Sequence, residues 1–405
     1  MRLRCIFLGA VVLSLLLFSC EKENESEKNA ARGTTGAENA RSPETLADTS
    51  IAFQYFRKAE NFVAAAQHDS TVYYLKKAVA LYEKEANREQ VVRCHTRLAT
   101  AYGTQFHFDK AVAALHRAEE IGRRYLGENH PALADCYLAA SRFYDRFSEF
   151  ERSLDYLKKS LAIRQAAPAE DRIELVENYN MLGIHHSRKG DTDSALFYFQ
   201  KTLDIRREHY GDQHIEVAKS YTNMGLIFST KGDYERTIQL LHKAISIFEA
   251  ELGAQHWMLA VCRSNLAVAY YFKGAYKRAL DINQNVLAFH QNAGNKGSIA
   301  DIYHNIGLIY LKMSEHERAL SVVKKALGIR LTTLGNAHQQ TANTYEELGA
   351  IYRQLKQYPK ALANHQKALS IRKQVFGEHH WETGRSYAQL GSSFLAVGNY
   401  RTAIE

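Results

Sequence analysis

Proline occurs only 4 times in 405 residues. A chain so short of proline has few enforced helix breaks, because proline removes a backbone donor and clashes with the preceding turn. With 24 tyrosines beside that scarcity, long helices are favoured over a turn-rich β architecture. Cysteine is also sparse, at 5, and no CxxC pair or zinc spacing occurs. There is no GxxxxGK[ST] phosphate loop: Gly294-Asn295-Lys296-Gly297-Ser298 lacks the spacing and follows no strand. His316-Glu317 lacks the second His of HExxH. No acid, base and nucleophile converge. The expectation is therefore a chain that is not an enzyme, with no catalytic residue, no metal, no cofactor and no small-molecule substrate. Charge of one sign is not concentrated either. The net charge is +8, but acids and bases alternate as on a solvated helical surface. A nucleic-acid binder would cluster its cations on one stripe, so no nucleic-acid partner is expected.

The N-terminal apolar run is also too short to cross a bilayer. Arg2 and Arg4 precede "CIFLGAVVLSLLLFS", residues 5–19, an apolar stretch of 15. A bilayer crossing needs about 20; a signal peptide fits better. Leu17-Phe18-Ser19-Cys20 resembles the lipobox of bacterial lipoproteins, with an aliphatic residue at −3 and a small one at −1. Phe18 departs from the smaller residue common at −2. The resemblance implies cleavage after residue 19, lipidation of Cys20, and a place in the bacterial cell envelope on a periplasmic or surface face. The other reading is an uncleaved N-terminal anchor. Two or three acyl chains would hold a protein on a membrane durably, where one holds only reversibly. Loss of Arg2 and Arg4 with the signal would leave a net charge of +6.

Residues 21–50 contain one leucine and no aromatic, too little apolar surface to order the segment. Residues 20–50 thus read as the lipidated cysteine followed by a disordered tether. As a flexible coil it would reach roughly 30 Å.

From residue 51 to 405 the chain repeats. A small residue serves as a ruler: Thr71, Ala111, Ser153, Ala195, Thr237, Ala279, Ala319, Ala361 and Ala403. The steps are 40, 42, 42, 42, 42, 40, 42 and 42 residues. Twelve residues before the ruler stands Gly or another small residue, such as Gly183, Gly225, Ala267 and Gly307. Three residues later comes a ring in most repeats, with His186 the exception. Small residues let helices approach, and the ring fills the space beside the contact. Gly190, Gly232, Gly274 and Gly398, five before the ruler, can end the first helix in a left-handed cap. The second helix shows three-and-four spacing, as in Ile238, Leu241, Ala244, Ile245 and Phe248. Neither helix can bury its stripe alone; stacked pairs can. The fold class expected is all-α, a right-handed superhelical solenoid of antiparallel helix pairs, about nine repeats with the last incomplete.

The pattern of small-8, aromatic-11, aromatic-17, small-20 and small-27 resembles the tetratricopeptide repeat (TPR). Tyr replaces the usual Trp at position 4, as in Tyr137, Tyr179, Tyr221, Tyr303, Tyr345 and Tyr387. The 42-residue length and the Leu-Gly-x-x-His ending, as in Leu252-Gly253-Ala254-Gln255-His256, resemble kinesin light chain repeats. The resemblance is specific for fold and weak for function.

His130, His214, His256, His338 and His380 each follow a glycine by three residues. Equivalent positions in neighbouring repeats lie about 10 Å apart, whereas zinc wants each ligand near 2.1 Å. Capping or packing of the turn is the reading preferred. Cys94, Cys136 and Cys262 all fall seventeen residues before the ruler and read as small core residues.

Function is then expected on the groove lined by first helices, with a protein or peptide ligand as partner and the membrane reached through the lipid anchor. Asn223, Asn265 and Asn305 occupy position 6 in three consecutive repeats. A carboxamide both donates and accepts, so the three could read a peptide backbone. The kinesin light chain resemblance implies the same role; the competing reading is hydrogen bonding within the stack. Further groove residues are Arg188, Lys219, Tyr271, Phe272, Lys312 and Arg353. The chain stops at Glu405 inside a second helix, which leaves an apolar face for a partner or for further chain. In bacterial proteins it resembles, such arrays precede an effector. The alternative expectation is therefore a sensor or regulatory arm whose CHAT-type protease or signalling output domain lies outside this sequence.

Overall fold

A computed structural model describes residues 43–167 and 169–404. Among the described residues there are 18 α-helices and one 3-10 helix, and no strand. They group into two compact blocks, residues 43–212 and 213–404. The first block holds α1 (Pro43–Ala64), α2 (His68–Lys84), α3 (Arg88–Thr104), α4 (Phe108–Tyr125), α5 (Pro131–Arg146), α6 (Phe150–Gln165), the 3-10 turn Ala169–Leu175, α7 (Val176–Arg188) and α8 (Thr192–Tyr210). The second holds α9 (Ile215–Lys231), α10 (Tyr234–Leu252), α11 (Trp257–Phe272), α12 (Tyr276–Asn292), α13 (Lys296–Lys312), α14 (His316–Thr333), α15 (Gln339–Gln354), α16 (Tyr358–Phe376), α17 (Trp381–Ala396) and α18 (Tyr400–Ile404). In each block every odd helix pairs with the even helix after it, and successive pairs stack. Each block is an α-solenoid. The signal and Cys20 lie outside the described residues. Helix α1 starts at Pro43 and so takes in residues 43–50, assigned to the tether from sequence. Proline at a helix's first position loses no hydrogen bond and presets φ, so Pro43 suits a start there.

The ruler marks the closest contact inside each pair. Its residues from Thr71 to Ala361 are all at most 2% exposed. The Thr237 hydroxyl donates to the Gly225 carbonyl at 3.1 Å, and the Ser153 hydroxyl to that of Ser141 at 2.9 Å. Glycine at position 8 makes room for the side chain at position 24. A Cβ on Gly183 would stand 2.6 Å from the Phe199 ring, and one on Gly349 2.1 Å from His365.

The turn between the paired helices departs from the sequence expectation in an informative way. Glycine marks it in four repeats, yet Ala66, Phe106, Ser148, Ser314 and Lys356 take positive φ at the same place. The geometry is common to all nine repeats, and in five the left-handed cap is held by residues that strain against it.

The five recurring histidines are N-caps. In His130, His214, His256, His338 and His380 the imidazole Nδ1 accepts the backbone N–H two residues on, each at 3.2 Å. That satisfies one of the amides a helix start leaves unpaired. Cys94, Cys136 and Cys262 are buried, and burial pushes each thiol up to about 12. Among the described residues no group of His, Cys, Asp and Glu is placed to hold a metal ion, and no helix is long and apolar enough to cross a membrane.

Candidate functional site: the first-helix face

The odd-numbered helices carry the residues expected to face a ligand. Arg188 belongs to the first block, where it bonds Asp145 and lies 5.8 Å from the Phe150 ring. The other eight belong to the second. Asn223 on α9 is fully buried, and Asn265 on α11 is 4% exposed with no hydrogen-bond partner for its Nδ2 among the described residues. Asn305 on α13 is half-buried. Lys219 is enclosed and pairs with Glu216 at 2.7 Å. Lys312 is exposed and Arg353 half-buried. Phe272 stacks on Tyr234 of the preceding helix, with ring centres 5.5 Å apart. Tyr271 meets Tyr276 at 5.6 Å.

Two residues of this face went unnoticed in the sequence. His304 on α13 pairs through Nδ1 with the Glu347 carboxylate on α15. Both are almost enclosed, and the Glu347 Oε1 has no hydrogen-bond partner among the described residues. Gly307 leaves the space for that carboxylate: a Cβ there would lie 2.8 Å from Oε1. Tyr271 on α11 senses the same charge. Burial pushes its phenol up most, with Tyr276 and then Glu347 adding to the shift. Three consecutive first helices thus contribute a phenol, an imidazole and a carboxylate to one polar neighbourhood. The available signal was that Glu347 takes position 6, where the preceding repeats carry Asn.

A second polar system braces the stack from behind. Arg330 on α14 reaches Asp301 at 2.7 Å and the Thr344 hydroxyl at 2.6 Å. Arg372, one repeat later on α16, bonds Asn343 at 2.7 Å, Glu346 and Ser386, with Glu382 at 3.4 Å. Each arginine ties its own first helix to the next one. Arg164 bridges Asp135 and Glu174 from the same repeat position in the first block.

These features define a helical-repeat protein. The tetratricopeptide repeat family matches over residues 107–166, 148–208, 174–247, 216–292, 265–332, 298–374 and 340–405. The chain belongs to that family. No curated protein matches it as a sequence relative. Among solved structures it is similar to BtubC (BKLC) from P. vanneervenii, with 23% identity, covering 56% of this chain and 92% of that one, TM-score 0.50. It is similar to the signal transduction ATPase PH0952 from Pyrococcus horikoshii, a STAND protein with a tetratricopeptide repeat sensor, with 12% identity, 90% and 61% coverage, TM-score 0.58. A Rap protein complexed with Competence and Sporulation Factor aligns with 13% identity, 89% and 100% coverage, TM-score 0.51. At these identities the likeness is one of fold.

Proposed function

We propose that this protein is a membrane-anchored interaction scaffold, held by lipid on Cys20 and binding an extended segment of a partner protein along its first helices. The observation that carries this is the unmet hydrogen-bonding capacity on that face. Asn265 Nδ2 and Glu347 Oε1 are buried without hydrogen-bond partners among the described residues. An unsatisfied buried polar group costs about 1–3 kcal/mol, and a bound backbone offering donors and acceptors would recover it. Asn223, Asn305 and Lys312 lie on helices of the same set, and the Rap protein bound to its factor is a precedent of fold. The test is capture from native membranes with the full chain, its Asn223→Ala/Asn265→Ala/Asn305→Ala variant, and Cys20→Ser. Retention of the partner by the triple variant would reject the carboxamide ladder. Unchanged membrane association of Cys20→Ser would reject the anchor.

A second reading has this array as the sensor arm of a longer signalling protein. It is favoured by the likeness to PH0952, a STAND protein with a tetratricopeptide repeat sensor, which runs over 90% of this chain. A reading frame continuing past codon 405 would establish it; a stop codon there would remove it.

A further inference from the structure

Position 4 of the repeat holds a structural tyrosine. Its ring lies under a lysine of the same repeat's second helix: Lys77 over Tyr55 at 5.3 Å, Lys159 over Tyr137 at 5.2 Å, Lys201 over Tyr179 at 5.0 Å, Lys243 over Tyr221 at 5.5 Å, Lys325 over Tyr303 at 5.5 Å, and Lys367 over Tyr345 at 5.2 Å. The phenol reaches the preceding repeat, Tyr137 donating to Glu119 at 3.2 Å and Tyr303 accepting from Gln291 at 3.4 Å. The ring therefore wedges between consecutive second helices. Two repeats lack it, with His95 on α3 and Arg263 on α11 in its place. At both, the structure holds a cleft, of about 350 Å³ beside His95 and about 340 Å³ beside Arg263. The two clefts are lined from identical repeat positions, so both are the vacated tyrosine slot.

The two slots differ in what they can accept. Beside Arg263 the polar groups are occupied. Arg263 bonds Glu249, His242 bonds the Tyr270 hydroxyl at 3.2 Å, and Asp281 adds a negative charge to the lining. Beside His95 no carboxylate of the described residues lines the slot. Its floor is Leu98 and Tyr102, and its rim carries Lys76, Lys110 and Arg117, all exposed. Arg117 shares its charge with Glu120 at 2.9 Å on the solvent side. His95 Nε2 is enclosed, with no hydrogen-bond partner among the described residues. Burial holds the imidazole below its usual pKa, opposed by Glu83 and aided by Arg117, so at neutral pH it stays uncharged.

We propose that the slot beside His95 is a docking site for a tyrosine side chain carried in an acidic segment of a partner protein. The ring would take the place that the chain's own tyrosine fills elsewhere, resting on Leu98 and Tyr102. The flanking carboxylates would meet Lys76, Lys110 and Arg117. The inference rests on the array being a protein-binding scaffold, but it uses a surface distinct from the first-helix residues named above.

The test measures anisotropy of a fluorescein-labelled acidic peptide with one central tyrosine, titrated with the full chain. His95→Tyr refills the slot from within and should weaken binding at least about tenfold while raising the melting temperature, as a filled cavity does. His95→Ala leaves the slot open and should stay within about threefold for a peptide whose ring carries most of the contact. Replacing the peptide's tyrosine by alanine should cost about tenfold, the scale of a buried aromatic anchor. Equal binding by His95→Tyr, equal binding of the alanine peptide, or no binding to the native chain at roughly 1 mM would each overturn the proposal. The Asn223→Ala/Asn265→Ala/Asn305→Ala variant should bind this peptide normally, so failure of one site is separable from failure of the other.

Discussion

The two blocks repeat one backbone plan with different interiors. In the first, a ring cluster dominates the contact between repeats. Phe143 lies 5.1 Å from Phe108, 4.9 Å from Phe147 and 5.2 Å from Tyr144, within a core that runs from Ala52 to Tyr144. In the second, the position of Phe143 holds Ile227, Ala269, Ile309 and Ile351, and charge enters at other positions: the Arg330 and Arg372 bridges, which Arg164 matches in the first block, and the His304–Glu347 pair. The repeat demands volume and close approach at a few positions. It leaves open whether the remaining contact is made by dispersion or by paired charge, and that freedom is where repeats acquire individual chemistry.

The comparison is broken most sharply by removing one member of each interior. Arg372→Ala should destabilise the second block by about 3 kcal/mol, because the enclosed Glu382 and the half-buried Glu346 would keep only Arg385, at 3.1 and 3.4 Å. Phe143→Ala should cost the first block a similar 3–5 kcal/mol, through a cavity among rings. Hydrogen exchange resolved by helix should place the first loss in α15–α17 and the second in α3–α6. Equal loss in both blocks from either variant would show that the interiors are not independent.

A smaller effect probes the second block by pH. His365 is 1% exposed, sharing Nδ1 with Ser393 at 2.8 Å and Nε2 with the Glu346 carbonyl at 3.2 Å. Burial lowers its pKa, opposed by Glu346 and aided by Arg353 and Arg372. The unfolded chain therefore binds the proton first as pH falls. The histidine's contribution is present above about 6.5 and is lost as pH drops through the folded value. His365→Gln should flatten the dependence of melting temperature on pH between pH 7 and pH 5. An unaltered slope would assign the acid sensitivity elsewhere.

The smallest effect concerns the turns. Lys356 holds φ +59° where other repeats have glycine. Lys356→Gly should stabilise the second block by roughly 0.5–1 kcal/mol, the left-handed strain less the glycine entropy. Phe106→Gly should gain less in the first block, because it also gives up a ring contact with Phe147 at 6.3 Å. A larger gain at Phe106 than at Lys356 would mean that the ring contact contributes nothing.

The sequence by itself determined the helix pairs, their period, the ruler contacts and the histidines at the helix starts. Each of those depends on residues within one turn or one hairpin, so spacing alone carries it. Only the tertiary structure decided that Asn223 is enclosed while Asn305 is half open, that Arg330 and Arg372 cross between helices, and that His304 meets Glu347. It also decided that a missing tyrosine at His95 leaves a cleft rather than a collapsed seam. Those outcomes join residues from neighbouring repeats, up to about forty positions apart, and depend on how much of each slot the adjoining side chains fill. Periodicity says which positions meet; the volumes and charges that meet there exist only once the helices are stacked.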